Sequence, residues 1–165
     1  MDSQFLLEKL KNSQEYKEFI KENKDAYLCS GFFVIDMESN GNSQYHFDFY
    51  VPESGKTFSF ELEGGVKLIP LERDEQVLEE VSMKNHFDFD KIREKILTEM
   101  ELKKINNKMQ KMLFSLQKVK GKDMLLGTIF ISNLGLLRVN VDIDSNQITD
   151  FEKKSLFDMM KMVRK

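Results

Sequence analysis

Lys104, Lys108, Lys111, Lys118 and Lys122 recur at spacings of four, three, seven and four, which would line them along one side of a helix. Between Leu102 and Lys122 there are seven lysines and no acidic residue, a local charge of +7. The segment before it, Glu72 to Glu101, holds ten acids against five bases, or −5. The chemistry of such a comb is electrostatic: several ammonium groups meet an anionic partner at once. None of the five lysine positions is arginine, and only Phe114 interleaves with them. Bidentate phosphate recognition and base stacking are therefore poorly supplied, and a protein partner fits better than nucleic acid. The comb can also meet the acidic segment of a second copy, which would make a homodimer.

Other reactive residues are few. Asp142, Asp144 and Asn146 have the opening spacing of an EF-hand loop. That loop needs glycine at its sixth place and a bidentate glutamate at its twelfth, and those places hold Gln147 and Lys153. Asp142 and Asp144 read instead as the wet face of a strand, with Asn146 making its turn. The single cysteine, Cys29, excludes an intramolecular disulfide and a CxxC site, and its apolar flanks suggest a buried strand thiol. His46 and His86 are the only histidines, too few for a His-based zinc site. Gly64-Gly65 stands outside any phosphate-loop frame. These residues lead us to expect no catalytic group, no cofactor and no metal. An enzyme would have to set Glu61, Asp48 or Asp142 beside His46, in a pocket between sheet and helices.

The elements that position these residues follow from periodicity. The chain has 165 residues, 41% apolar and 32% charged, with 25 basic against 28 acidic side chains, which suits one soluble domain. Ser3 is a candidate N-cap for a helix over 3–23. The apolar run Tyr27 to Met37 reads as a strand, Ser39 to Asn42 as a turn, and 45–51 and 57–62 as alternating strands around Pro52-Glu53-Ser54-Gly55. Val66 to Leu71 adds an edge segment. Residues 72–87 form an acidic connector with one helical turn near Val77 to Val81. A long helix is expected from about Asp88 to Val119, ended by Gly121, and strands over 125–131 and 137–143. A last helix opens on the capping box Thr149-x-x-Glu152 and buries Phe151, Leu156, Met159, Met160 and Val163. The expected architecture is α+β, order α-βββ-α-ββ-α, an antiparallel sheet with helices packed on one face. It is a single domain, 1–165, with halves at about 1–71 and 88–165. The start of the chain has no signal-peptide pattern and no window would span a membrane, so a cytoplasmic protein is expected.

Residues 139–148, Val-Asn-Val-Asp-Ile-Asp-Ser-Asn-Gln-Ile, resemble the closing signature of the PepSY domain, V-D-x-x-[ST]-G-x-[IV]. Val141, Asp142, Ser145 and Ile148 match it, and Asn146 stands where the family has glycine. The first half, with Ala26-Tyr27-Leu28-Cys29-Ser30 entering the meander, resembles small cystatin-like proteins built from two such units. The resemblance implies a non-catalytic, protein-binding module of the kind associated with peptidase regulation and with secreted or cell-surface proteins. The element order is also similar to that of type III secretion chaperones, which implies a cytosolic dimer.

Overall fold

Side chains that alternate inward and outward build a sheet, and this chain builds one large one. The computed structural model describes residues 1–38, 42–72, 77–156 and 160. Its strands are β1 (Tyr27–Asp36), β2 (Gln44–Val51), β3 (Lys56–Glu61), β4 (Lys67–Leu71), β5 (Met109–Val119), β6 (Lys122–Ile131), β7 (Gly135–Asp142) and β8 (Gln147–Ser155). They lie in the order β4-β3-β2-β1-β5-β6-β7-β8, every neighbour antiparallel. Each half of the chain is thus a four-stranded meander. The two meet at one seam, where Gly31 on β1 faces Leu116 on β5 and Phe33 faces Phe114. The helices are α1 (Ser3–Lys11), α2 (Gln14–Glu22) and α3 (Phe89–Leu102).

Directly paired residues share a sheet face, so register sorts the core. Phe33, Phe47, Phe49, Phe60, Phe114, Leu116, Leu125 and Val139 are buried on one face. Helix side chains join them in a single apolar cluster: Leu6, Leu7 and Leu10 of α1, Phe19 of α2, and Phe89, Ile92, Ile96 and Met100 of α3. The Phe19 ring sits edge-on to Phe58 and Phe60 at 5.3 and 5.2 Å, while Phe89 lies 5.2 Å from Phe33 and 5.7 Å from Phe114. Gly127 on β6 makes room for that packing. A Cβ there would stand 2.6 Å from the Phe114 ring and 2.7 Å from the Val139 carbonyl oxygen. Gly127→Ala is expected to lower stability by about 1–3 kcal/mol, as overpacking does. A urea denaturation midpoint equal to the parent's would show that both the ring and the β7 backbone have room to move.

The α+β class and the antiparallel sheet are observed, but the elements of the described residues up to Ser155 run αα-ββββ-α-ββββ where α-βββ-α-ββ was expected before the last helix. The first helix breaks in two. Ser13 starts α2 by accepting the Tyr16 N–H, while its own hydroxyl donates to the Leu10 carbonyl at 2.6 Å. Asp2, not Ser3, caps α1. Ser3 is buried, and its Oγ accepts the Phe87 N–H at 2.8 Å.

The expected helix 88–119 is corrected to α3 followed by β5. Residues 112 and 116 are one helical turn apart and also two strand steps apart, so the apolar spacing fitted both periods. Helix α3 ends because the Ile105 N–H bonds back to the Met100 carbonyl at 2.8 Å and the Lys104 N–H to Glu101 at 3.1 Å, a Schellman closure. Gly121 is no helix cap: with Lys120 it forms the two-residue turn of the β5–β6 hairpin, at φ of +79° and +51°.

The capping box also fails as a helix start. Thr149 and Glu152 lie in β8, where pairing with β7 supplies a ladder of hydrogen bonds that outweighs two local ones. Of the stripe assigned to that last helix, Phe151 belongs to β8, Leu156 and Met160 are helical, and Met160 is exposed rather than buried. Met159 and Val163 fall outside the described residues, as does most of the Ser39–Asn42 turn. The described part of the connector, residues 77–87, contains no helical turn.

Candidate functional site

The sheet face opposite the core cluster carries the residues available to a partner. Across it, Phe32 on β1 pairs with Ser115 on β5, which pairs with Leu126 on β6; the next row holds Val34, Leu113 and Thr128. Phe130 follows two positions beyond Thr128 on β6. Phe32, Val34, Leu113, Leu126 and Phe130 neither belong to the core cluster nor pack against it. Phe32 is 39% exposed and the other four are half-buried. Polar residues flank this tract: Gln44 and His46 on β2, Arg138 and Asn140 on β7.

His46 and Glu61 are cross-strand partners on this face, with His46 Nε2 3.8 Å from Glu61 Oε1. The sequence reading paired these two residue types for an enzyme, but in a pocket between sheet and helices; they meet on the other side of the sheet. Glu63, which that reading missed, comes closer: its Oε1 lies 2.9 Å from Nε2 and accepts the Tyr45 N–H at 2.8 Å. The signal was the alternation Glu61-Leu62-Glu63, in which buried Leu62 sends both carboxylates to the opposite face. Asp48 is also on this face but buried, taking the Ser30 hydroxyl at 2.8 Å.

The five lysines do not form a ridge, because only residues before 103 are helical there. Lys104 sits in the turn after α3, Lys108 in the following loop, Lys111 and Lys118 on β5, and Lys122 at the start of β6. Lys111 pairs with Phe130 on the open side, whereas Lys118 faces the core side and its ammonium lies 2.7 Å from Asp123. Lys104 adopts φ +56°, a left-handed conformation that costs any residue with a Cβ. Lys104→Gly is therefore expected to raise stability by roughly 0.5–1 kcal/mol. A lower thermal midpoint for that variant would show that the lysine stem packs usefully on α3.

Asp123 is a buried carboxylate with four donors. It is 1% exposed and accepts from Lys118 Nζ, from the Ser82 hydroxyl at 2.7 Å, and from the Ser82 and Met83 amides at 3.3 and 3.0 Å. Burial alone would raise its pKa. The Lys118 ammonium, the Ser82 hydroxyl and the two amides outweigh it and hold the carboxyl below its ordinary value. This anchor, with the Val81 N–H bonded to the Leu28 carbonyl at 2.8 Å and the Tyr27 hydroxyl to Leu78 at 2.8 Å, pins the connector to the sheet.

The EF-hand-like trio is engaged otherwise. Asp142 accepts the Asp144 N–H at 3.0 Å and lies 3.5 Å from Lys122 Nζ, and Asp144 accepts from the Asn85 side chain at 2.9 Å. Lys95 donates to the Asn146 carbonyl. The Asp144 amide, the Lys122 ammonium and the Asn85 side chain thus engage the Asp142 and Asp144 carboxylates, the first two ligands such a loop would offer. Asn146 takes φ +57° in the β7–β8 turn, where the resembled signature has glycine. Beside that turn, Lys91, Glu94, Lys95, Thr98 and Glu99 of α3 line a groove of about 640 Å³ that His46 does not reach. Cys29 is buried, its thiol donating to the Asp48 carbonyl at 3.4 Å.

No protein-family model matches the chain, and no curated protein matches it. Its fold does match the crystal structure of a candidate lipoprotein from Clostridium difficile 630, with a TM-score of 0.55 over 85% of this chain and 90% of that one, at 14% identity. The likeness is one of fold. Among the described residues no helix is long and apolar enough to cross a membrane.

Proposed function

We propose that this chain is a non-catalytic binding module that presents the open sheet face to a protein partner with an apolar centre. The observation behind this reading is the tract Phe32, Val34, Leu113, Leu126 and Phe130, which spans three central strands without joining the core. Leaving such a surface in water is unfavourable, and interface centres are built from apolar anchors inside a polar rim. The flanking Gln44, His46, Arg138 and Asn140 supply that rim. The PepSY-like part of the proposal rests on Val141, Asp142, Ser145 and Ile148, and it assigns the module to protein recognition without catalysis.

A photo-crosslinking residue at position 32, compared with one at exposed Leu97 on α3, tests the proposal in the source cells. A discrete crosslinked protein is expected from position 32 alone, and Leu126→Lys should abolish it. Equal crosslinking from both positions, or crosslinking unaffected by Leu126→Lys, would overturn the sheet-face reading. Sedimentation of the purified chain separates the rival occupant: a dimer dissolved by Leu126→Lys would mean that the face binds a second copy.

A further inference from the structure

We infer that His46, Glu61 and Glu63 form a binding site for a divalent transition-metal ion of the zinc class. His46 Nε2 lies 2.9 Å from Glu63 Oε1 and 3.8 Å from Glu61 Oε1, and one donor atom from each residue falls within 4.8 Å of the other two. Donors around a tetrahedral zinc with bonds of about 2.0–2.2 Å stand roughly 3.3–3.6 Å apart. The two shorter separations bracket that value, and rotation of the glutamate side chains closes the remainder. Two of the three residues are held by the sheet, and the third sits in the turn that leaves it. His46 and Glu61 face each other in the β2–β3 ladder, and Glu63 follows across Leu62, which is buried in the core and whose carbonyl accepts from Lys9 Nζ at 2.7 Å. The Tyr45 N–H on Glu63 Oε1 steadies the third ligand, as an outer-shell donor does at metal sites.

The donor chemistry selects the ion. One neutral imidazole and two carboxylates carry a charge of −2, which a divalent cation neutralises. Imidazole nitrogen with carboxylate oxygen suits zinc, cobalt or manganese, whereas calcium asks for six to eight oxygens. Three protein donors on an exposed sheet face leave at least one coordination position to solvent or to another molecule. This assignment is independent of the docking proposal, since it is read on the isolated chain.

Zinc titrated into the chelator-stripped, full-length chain against a chromophoric chelator tests the site, with cobalt absorption reporting its coordination. One equivalent of saturable binding is expected. His46→Ala and Glu63→Gln should each weaken it by at least about tenfold, while His86→Ala, which removes the other histidine, should leave it unchanged. Glu63→Gln keeps the side-chain shape at a partly exposed position, and far-UV circular dichroism confirms its fold. Absence of saturable uptake, or equal affinity in Glu63→Gln and the parent, would overturn the assignment. So would equal weakening by His86→Ala.

Discussion

Asp123→Ala is expected to destabilise the chain by about 3–5 kcal/mol at neutral pH, the cost of leaving a largely buried cation without its partner. Lys118 is 15% exposed and would lose the carboxylate 2.7 Å away. The Ser82 hydroxyl and the Ser82 and Met83 amides would lose their acceptor at the same time, freeing the connector from the sheet. Replacing both partners, Asp123→Leu with Lys118→Met, should recover much of the loss, because no uncompensated charge remains. Chemical denaturation of the single and double variants reads both effects. A double variant as weak as Asp123→Ala would place the anchor's value in the connector amides rather than in the ion pair.

The same anchor gives an acid dependence of defined sign. The folded carboxyl titrates below its ordinary value of about 3.9, so the folded state binds fewer protons than the unfolded one near that pH. The stabilisation is complete above the unfolded value and is lost as pH falls through the folded one. Asp123→Asn should therefore flatten the acid limb of the stability curve; a limb as steep as the parent's would assign acid unfolding to other groups.

Val139→Asp is expected to cost at least about 5 kcal/mol, as much as the whole stability of a domain at the low end of the usual 5–15 kcal/mol, and so to unfold the chain. Val139 is 0% exposed, flanked on its face by Gly127 on β6 and Phe151 on β8. At a fully buried position among apolar side chains, a carboxylate would have to be carried desolvated and unpaired. Val139→Ala at the same site should cost less and stay folded, which separates charge from lost volume. A native-like circular dichroism spectrum for Val139→Asp would mean that β7 can shift its register and turn the charge outward.

Strong alternation made β2, β3 and β7 legible in the sequence: Phe47, Phe49 and Val51, Phe58 and Phe60, and Leu137, Val139 and Val141 all lie on the core face. β5 was hidden because Met109, Met112, Leu116 and Val119 have helical spacing, while the decisive period-two partner, Phe114, sits between them. β8 was hidden by a capping box whose two hydrogen bonds compete with a whole ladder on β7. The candidate site was half visible. His46 and Glu61 were named, but Glu63 lies in the turn past β3, and it comes beside the imidazole only where the folded chain lets it accept the Tyr45 N–H. Lys118 and Asp123 flank the Lys120-Gly121 turn, and they become neighbours only once that turn is read as a hairpin rather than as a helix end.

The seam between the two meanders bears on how the protein is made. Among the described strands, every pairing but β1–β5 joins consecutive strands, so each meander can zip up as soon as its own residues emerge. β1 must wait until the ribosome has delivered β5, several seconds later at ordinary synthesis rates. Throughout that interval Gly31-Phe32-Phe33-Val34-Ile35, an uncharged run without proline, presents an unsatisfied backbone edge, and a stalled or truncated nascent chain would be prone to aggregate there.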